Sequence, residues 1–138
     1  MNRWILASSL LSFVVVLVHV FAGGPDVHDP LLAANASAIL NTYVSVLWHA
    51  TTAVLLLDAV ALLVAAFHRG SRGALVGIVT GQYLAYAALF VGYGLDRLGS
   101  LVITPQWMAF LAIIATALIG VRPGARTTGP SSPLDDPS

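Results

Sequence analysis

Residues 46–63 read V-L-W-H-A-T-T-A-V-L-L-L-D-A-V-A-L-L. They sit inside a longer apolar run, Thr42 to Phe67, in which the only imidazole and the only carboxylate are His49 and Asp58. A helix needs roughly 20 residues to cross the hydrocarbon of a bilayer, with about 17–25 allowed. This run is long enough to cross with tilt or to rise into the headgroups. It does not alternate apolar and polar residues as a barrel strand must. The stretch therefore predicts a membrane helix that carries two costly side chains.

Composition extends the conclusion to the whole chain. Of 138 residues, 58% are hydrophobic and 9% are charged, where a soluble domain has about 25% charged residues. So short a chain has too little interior to hide that much apolar surface from water, and the lipid bilayer is its expected partner. The net charge is zero, which leaves no basic footprint for nucleic acid. Cysteine is absent, which excludes disulfides, thiolate metal sites and cysteine nucleophiles.

Three further apolar runs flank the first, giving expected spans at about 4–21, 42–67, 73–95 and 105–121. The expected fold is all-α: a four-helix transmembrane bundle forming one domain over residues 1–121. Asn41 is the expected cap of the second span, and Thr104-Pro105 the cap and first position of the fourth. G-G-P-D-V-H-D-P (23–30) reads as a loop. Asp29-Pro30 then opens a short interfacial helix over about residues 30–40, because one continuous helix from Pro30 to Phe67 would be about 57 Å long, too long for one crossing. The tail from Arg122 to Ser138 is rich in Pro, Gly and Ser and reads as disordered. V-F-A before Gly23 also fits signal cleavage, but the apolar run exceeds the usual 7–15 residues of such a signal, which favours an anchor.

All basic residues are Arg. Arg3, Arg69, Arg72, Arg122 and Arg126 fall on one side of the expected membrane, and Arg97 alone on the other. The positive-inside rule places both termini in the cytoplasm and residues 23–41 outside. Arg without Lys, with abundant Ala, Val, Leu and Gly, suits a GC-rich bacterial genome and hence an inner membrane.

Gly73, Gly77, Gly81 and Ala85 recur every four residues on span three. Such a ladder lets another helix backbone come close, within the chain or from a second copy. Span four has a shorter version in Ala112, Thr116 and Gly120. Ser8 and Ser12 share a face with His19 on span one, a pattern usually explained by hydroxyls bonded back to their own helix.

An ionisable group at mid-membrane costs roughly 2.5–3.5 kcal/mol and is a functional candidate by default. His49 and Asp58 are nine residues apart, which puts them on opposite helix faces, about 13 Å apart along the axis. They are expected to serve separate places. Asp58 and Gln82 lie at matching heights above the inner ends of their spans, about 13 Å. A neutral Asp58 acid clasped by the Gln82 amide is the structural expectation, and a proton-carrying Asp58 the functional one. Tyr86 and Tyr93 share the Gln82 face and either pack or line a pocket. His19, His28 and His49 gather on the outer side with Asp26 and Asp29, residue types that suit zinc, copper or iron. Their spacing matches no metal motif, and His19 and His49 differ in height by about 6–8 Å.

Three short signatures, F-A-G-G at 21–24, W-H-A-T-T at 48–52 and P-Q-W at 105–107, resemble those of a group of small uncharacterised bacterial membrane proteins. The likeness covers the layout of residues 13–121 and implies four spans. It implies no activity.

The leading expectation is a small membrane protein acting as a non-catalytic accessory or scaffolding subunit, alone as a homo-oligomer or in a larger membrane complex. No nucleophile triad, phosphate loop or zincin motif argues for an enzyme. The second expectation is a module that holds a metal, haem, quinone or lipid at His19 and His49. The third is a small proton-coupled transporter using Asp58. The orientation has a direct check. In the cysteine-free background, an impermeant thiol reagent added to intact cells is expected to label Ala34→Cys and spare Ser131→Cys. Labelling of the tail site alone would reverse the orientation.

Overall fold

The structure is a computed structural model that describes residues 1–34 and 36–122. Among the described residues 85% are helical and there are no strands. The helices are α1 (Arg3–Phe21), α2 (Asp29–Ala33), α3 (Ala38–Phe67), α4 (Arg72–Leu98) and α5 (Gln106–Val121). A π-turn, Gly24–His28, joins α1 to α2. Arg3–Ala33, Ala38–Phe67 and Arg72–Leu98 are each long and apolar enough to cross a membrane, while α5 is apolar but shorter. In space, α1 packs against both α3 and α5, and α4 packs against α5 and α3. The helices thus form a ring in the order α1, α3, α4, α5.

Each inward face follows from sequence. On α4 the buried positions Val76, Val79, Tyr83 and Ala87 are three and four residues apart, the spacing of one helix face. Phe110 of α5 receives three rings of α4: Tyr83 at 5.4 Å, Tyr86 at 5.6 Å and Phe90 at 6.0 Å between centroids. On α3, Leu55, Asp58, Ala59, Leu62, Ala65 and Ala66 are buried. The alanines let α1 come close.

α1 is held by polar side chains that reach backbone carbonyls of its two neighbours. Ser8 donates to the Ile113 carbonyl at 2.9 Å and Ser9 to the Ala59 carbonyl at 2.8 Å. Ser12 bonds back to Ser8 of its own helix at 3.0 Å, as expected of both serines, whereas Ser8 reaches α5 instead. Asn2 does three things. Its Oδ1 caps α1 by accepting from the Trp4 and Ile5 amides. Its Nδ2 donates to the Gly120 carbonyl at 2.6 Å, and its backbone N–H donates to the Ala66 carbonyl at 2.9 Å. Arg72 closes the same end, with Nε on Ala65 and Nη2 on Ala66. These carbonyls belong to the last turn of α3, where no intrahelical donor remains.

Several expectations are corrected. The expected loop at 23–30 is helical. Pro25 lacks an N–H and its ring would crowd the preceding turn of an α-helix; the wider π-turn absorbs both problems. Helix α2 ends at Ala33 and α3 begins at Ala38, so the expected single helix over 30–40 is not observed. Ser37, not Asn41, caps α3, by accepting from the Leu40 amide. Asn41 lies a full turn inside, with a buried Oδ1 that has no partner. Thr104 does not cap α5. Its hydroxyl is buried beside Gly94, 3.1 Å from where a Cβ would stand.

The small-residue ladder also resolves. Gly73, Gly77, Gly81 and Ala85 are exposed, and a Cβ at any of the three glycines would meet nothing within 4 Å. α4 turns a different face inward, so among the described residues nothing packs on the ladder glycines. On α5, Ala112 is exposed and Thr116 bonds to its own helix, whereas Gly120 lies directly against α1. The expected tail falls outside the described residues, save Arg122.

A Cβ on Gly120 would stand 2.5 Å from Ile5 Cγ1 and 3.2 Å from the Ile5 backbone nitrogen. Overpacking costs about 1–3 kcal/mol, more than the average interhelical hydrogen bond in a membrane at about 0.6 kcal/mol. Gly120→Ala is therefore expected to destabilise the folded chain by about 1–3 kcal/mol, Ser9→Ala by about half to one kcal/mol, and Gly73→Ala by nothing measurable. Unfolding in mixed micelles checks the ranking.

Candidate functional site

Two groups of polar side chains stand apart from the carbonyl-bonded scaffold. The first lies at the end of the bundle away from Asn2, where α1 runs into the π-turn and the first half of α3 passes beside it. Trp48 is its centre. The His19 ring stacks on the indole at 4.1 Å between centroids and 18° between planes. The His28 ring lies against the same indole at 5.3 Å and 32°. His49 meets His28 edge-on at 5.7 Å. His28 Nδ1 is 3.3 Å from Asp29 Oδ1, and the Trp48 carbonyl lies beside the His19 ring.

The local backbone makes this convergence possible. His19 and His28 are nine residues apart, which an uninterrupted α-helix would leave about 180° apart in phase. The π-turn holds more residues per turn and delays that phase, so both rings reach Trp48. Gly23 supplies the room: a Cβ there would stand 3.0 Å from Trp48 Cη2, while Gly24 faces open space.

The cluster leaves two polar atoms without partners, His19 Nε2 and His28 Nε2, both buried. His49 is exposed, as are Asp26 and Asp29. Among the described residues no group of three or more His, Asp or Glu side chains is arranged to hold a metal ion. The histidines are gathered about an indole rather than about a common coordination point. Sequence reasoning found all three histidines but missed Trp48. The signal was present in the glycine pair of F-A-G-G and the adjacent W-H, a bare backbone position and a large ring that complement each other.

The second group lies inside the ring. Asp58 is 6% exposed, and its Oδ2 is buried without a hydrogen-bond partner. His49 stands on the solvent- or lipid-facing side of the same helix, so the two are separate, as their spacing required. The expected Gln82 clasp is not formed: no hydrogen bond joins Asp58 to Gln82 among the described residues, and Gln82 is only half-buried. Tyr83 occupies the core instead. It is fully buried with an unpartnered hydroxyl, and Ser12 and Asp58 are its polar neighbours. The expected height was serviceable but the phase was not, since one residue is about 100° of helix. Tyr86 is half-buried and packs on Phe110, the packing alternative. Tyr93 is exposed, with the Arg97 guanidinium 4.9 Å above its ring.

No family model matches the chain, and neither a curated protein nor a solved structure matches it.

The Trp48 cluster has a simple steric test. In a background with Trp4→Phe and Trp107→Phe, the emission of Trp48 is expected to shift on Gly23→Val, with a stability loss of about 1–3 kcal/mol from overpacking. Gly24→Ala is expected to change neither. Equal emission spectra for both variants would separate Gly23 from the indole.

Proposed function

We propose that this chain is a small multi-pass subunit of a bacterial inner membrane, with both termini cytoplasmic, that acts by association rather than by chemistry of its own. One observation carries this reading: the ladder Gly73, Gly77, Gly81 and Ala85 runs along the exposed side of α4, and among the described residues nothing packs on its glycines. In lipid no hydrophobic force drives helices together, and close backbone approach along small residues is a main source of association. The threonines within the helices support the same view. Thr42, Thr51, Thr52, Thr80 and Thr116 each donate to a carbonyl of their own helix. The partner we assign is a second copy of the chain, with the four helical stretches as spans and the segment around α2 at the outer surface.

A second reading has its own observation. The unpartnered Nε2 atoms of His19 and His28 are what a ligand module would offer to a metal, haem, quinone or lipid headgroup. Metal analysis and visible absorbance of the purified protein address it directly. A stoichiometric ligand lost on His19→Ala would establish this second function, and its absence would end it.

For association, energy transfer between labelled copies diluted in vesicles is expected to show a saturable dimer. Gly77→Ile with Gly81→Ile should weaken it at least tenfold. The thermal midpoint of the monomer should not move, because neither position touches the rest of the chain. Leu84→Ile, on the exposed surface, should leave the dimer intact. A wild-type chain that stays monomeric at every protein-to-lipid ratio would end this reading.

A further inference from the structure

The end of the bundle away from Asn2 carries a groove that neither association nor the histidine cluster uses. At the Asn2 end α4 and α5 are flush, since Arg72 and Asn2 share the Ala66 carbonyl and Asn2 also reaches Gly120. α4 runs for 27 residues and α5 for 16, so α4 outruns its partner at the other end. The face of α4 that meets Phe110 through Tyr83 and Phe90 continues past it. There Phe90, Tyr93, Gly94 and Arg97, with Leu89 and with Thr104 of the α4–α5 loop, line a groove of about 400 Å³.

The loop that walls this groove is held by the chain itself. Gly99 ends α4 at φ 60°, the left-handed conformation that glycine adopts without steric cost. The Gly99 and Ser100 amides donate back to the Leu95 and Gly94 carbonyls, each at 3.2 Å. The Trp107 indole donates to the Leu101 carbonyl at 3.1 Å. The bare backbone of Gly94 admits the loop, since a Cβ there would stand 3.1 Å from Thr104 Oγ1 and 3.2 Å from the Ser100 carbonyl oxygen. Arg97 is the one charged residue in the lining. Its guanidinium lies over the Tyr93 ring, and among the described residues no carboxylate pairs with it. Asp96, its neighbour in sequence, lines a separate depression with Ala88 and Gly92. Arg72, by contrast, spends its donors on the Ala65 and Ala66 carbonyls.

We propose that this groove binds one anionic phospholipid, with its phosphate on the Arg97 guanidinium and an acyl chain along Tyr93, Phe90 and Leu89. The inference rests on the reading that α4 crosses the bilayer, and not on association. Its dimensions fit a lipid. From Arg97 to Leu89 is about 12 Å of helix, against about 15 Å for the hydrocarbon of one leaflet. The cation stands at the end of α4, where headgroups lie, and the wall below it is apolar. A guanidinium offers planar paired donors that match phosphate. An anionic headgroup is favoured over a zwitterionic one, whose choline cation offsets the phosphate. Arg97 and Gly81 differ by about 160° in helix phase, so a second copy docked on the glycine ladder leaves the groove open.

The test is native mass spectrometry of the full chain, released from neutral detergent containing equal amounts of phosphatidylglycerol and phosphatidylcholine with identical acyl chains. One phosphatidylglycerol is expected to stay bound per chain, favoured about fivefold over phosphatidylcholine, the scale of one arginine near an anionic surface. Arg97→Gln should bring that ratio close to one. Arg69→Gln, at another exposed arginine, should leave it unchanged. Leu98→Trp, at an exposed position in the groove lining, fills the groove and should lower the retention of both lipids. Equal retention of the two lipids by the wild-type chain overturns the site, whatever the variants do. Equal losses on Arg97→Gln and Arg69→Gln also overturn it, as general attraction between charges. Gly77→Ile with Gly81→Ile should keep the lipid, so a failed dimer and a failed groove are read separately. Energy transfer between copies that is lost on Arg97→Gln would assign the groove to a second copy instead. Extraction of the chain from vesicles by alkaline carbonate would end the spanning reading and this site with it.

Discussion

The structure depends on how closely α1 approaches two other helices at once. Ile5, Ser8, Ser9 and Ser12 are completely buried between α3 and α5, and three of the four are serines. A serine is small enough to let backbones meet and polar enough to bond a carbonyl once they do. Ser8 reaches α5 and Ser9 reaches α3, one residue apart and therefore on adjacent faces. The opposite partners of these contacts are equally small: Ala59, Ala65 and Ala66 on α3, Ala117 and Gly120 on α5. Dispersion between close backbones, more than the hydrogen bonds themselves, supplies the stability, because a membrane hydrogen bond averages about 0.6 kcal/mol. The hydroxyls fix which faces meet.

The sites inherit their geometry from that approach. Because α1 lies tight against α3, the end of α1 passes Trp48 at stacking distance, and the π-turn brings a second imidazole to the same ring. Because α1 carries Ser12 inward, a hydroxyl stands near Asp58 and Tyr83 in the interior. Neither group was assembled by a dedicated loop. Each is a place where the helices' polar positions fall together as a consequence of their packing.

Much of this was legible in the amino-acid sequence. Apolar run length marked the helical stretches to within a few residues, since length in hydrocarbon is nearly a one-dimensional quantity. The separation of His49 from Asp58 followed from helical phase alone. What failed required the third dimension. Gln82 was chosen over Tyr83 because height can be counted from a helix end, whereas phase relative to a neighbour depends on how that neighbour is rotated. G-G-P-D-V-H-D-P looked like a loop because two prolines and two glycines break α-helices, yet a π-turn accommodates them. The glycine ladder was recognised, but its direction was not, since periodicity names a face without saying what it confronts. Asn2 was given no packing role and Arg72 was read only as a topological charge, although Asn2 grips carbonyls of α5 and α3 and Arg72 those of the last turn of α3.

The Asn2–Gly120 hydrogen bond has a consequence for biogenesis. It joins positions 118 residues apart, nearly the full span of the described chain. The first helix is made long before its last neighbour has been synthesised. During that interval Asn2, the close-approach surface at Ile5 and the Ser8 hydroxyl all wait for α5. The bundle therefore closes late, and a chaperone or insertase that shelters α1 during translation would be shielding a seam rather than a finished surface. Early termination before Gly120 would leave Asn2 and Ile5 of α1 without their α5 contacts.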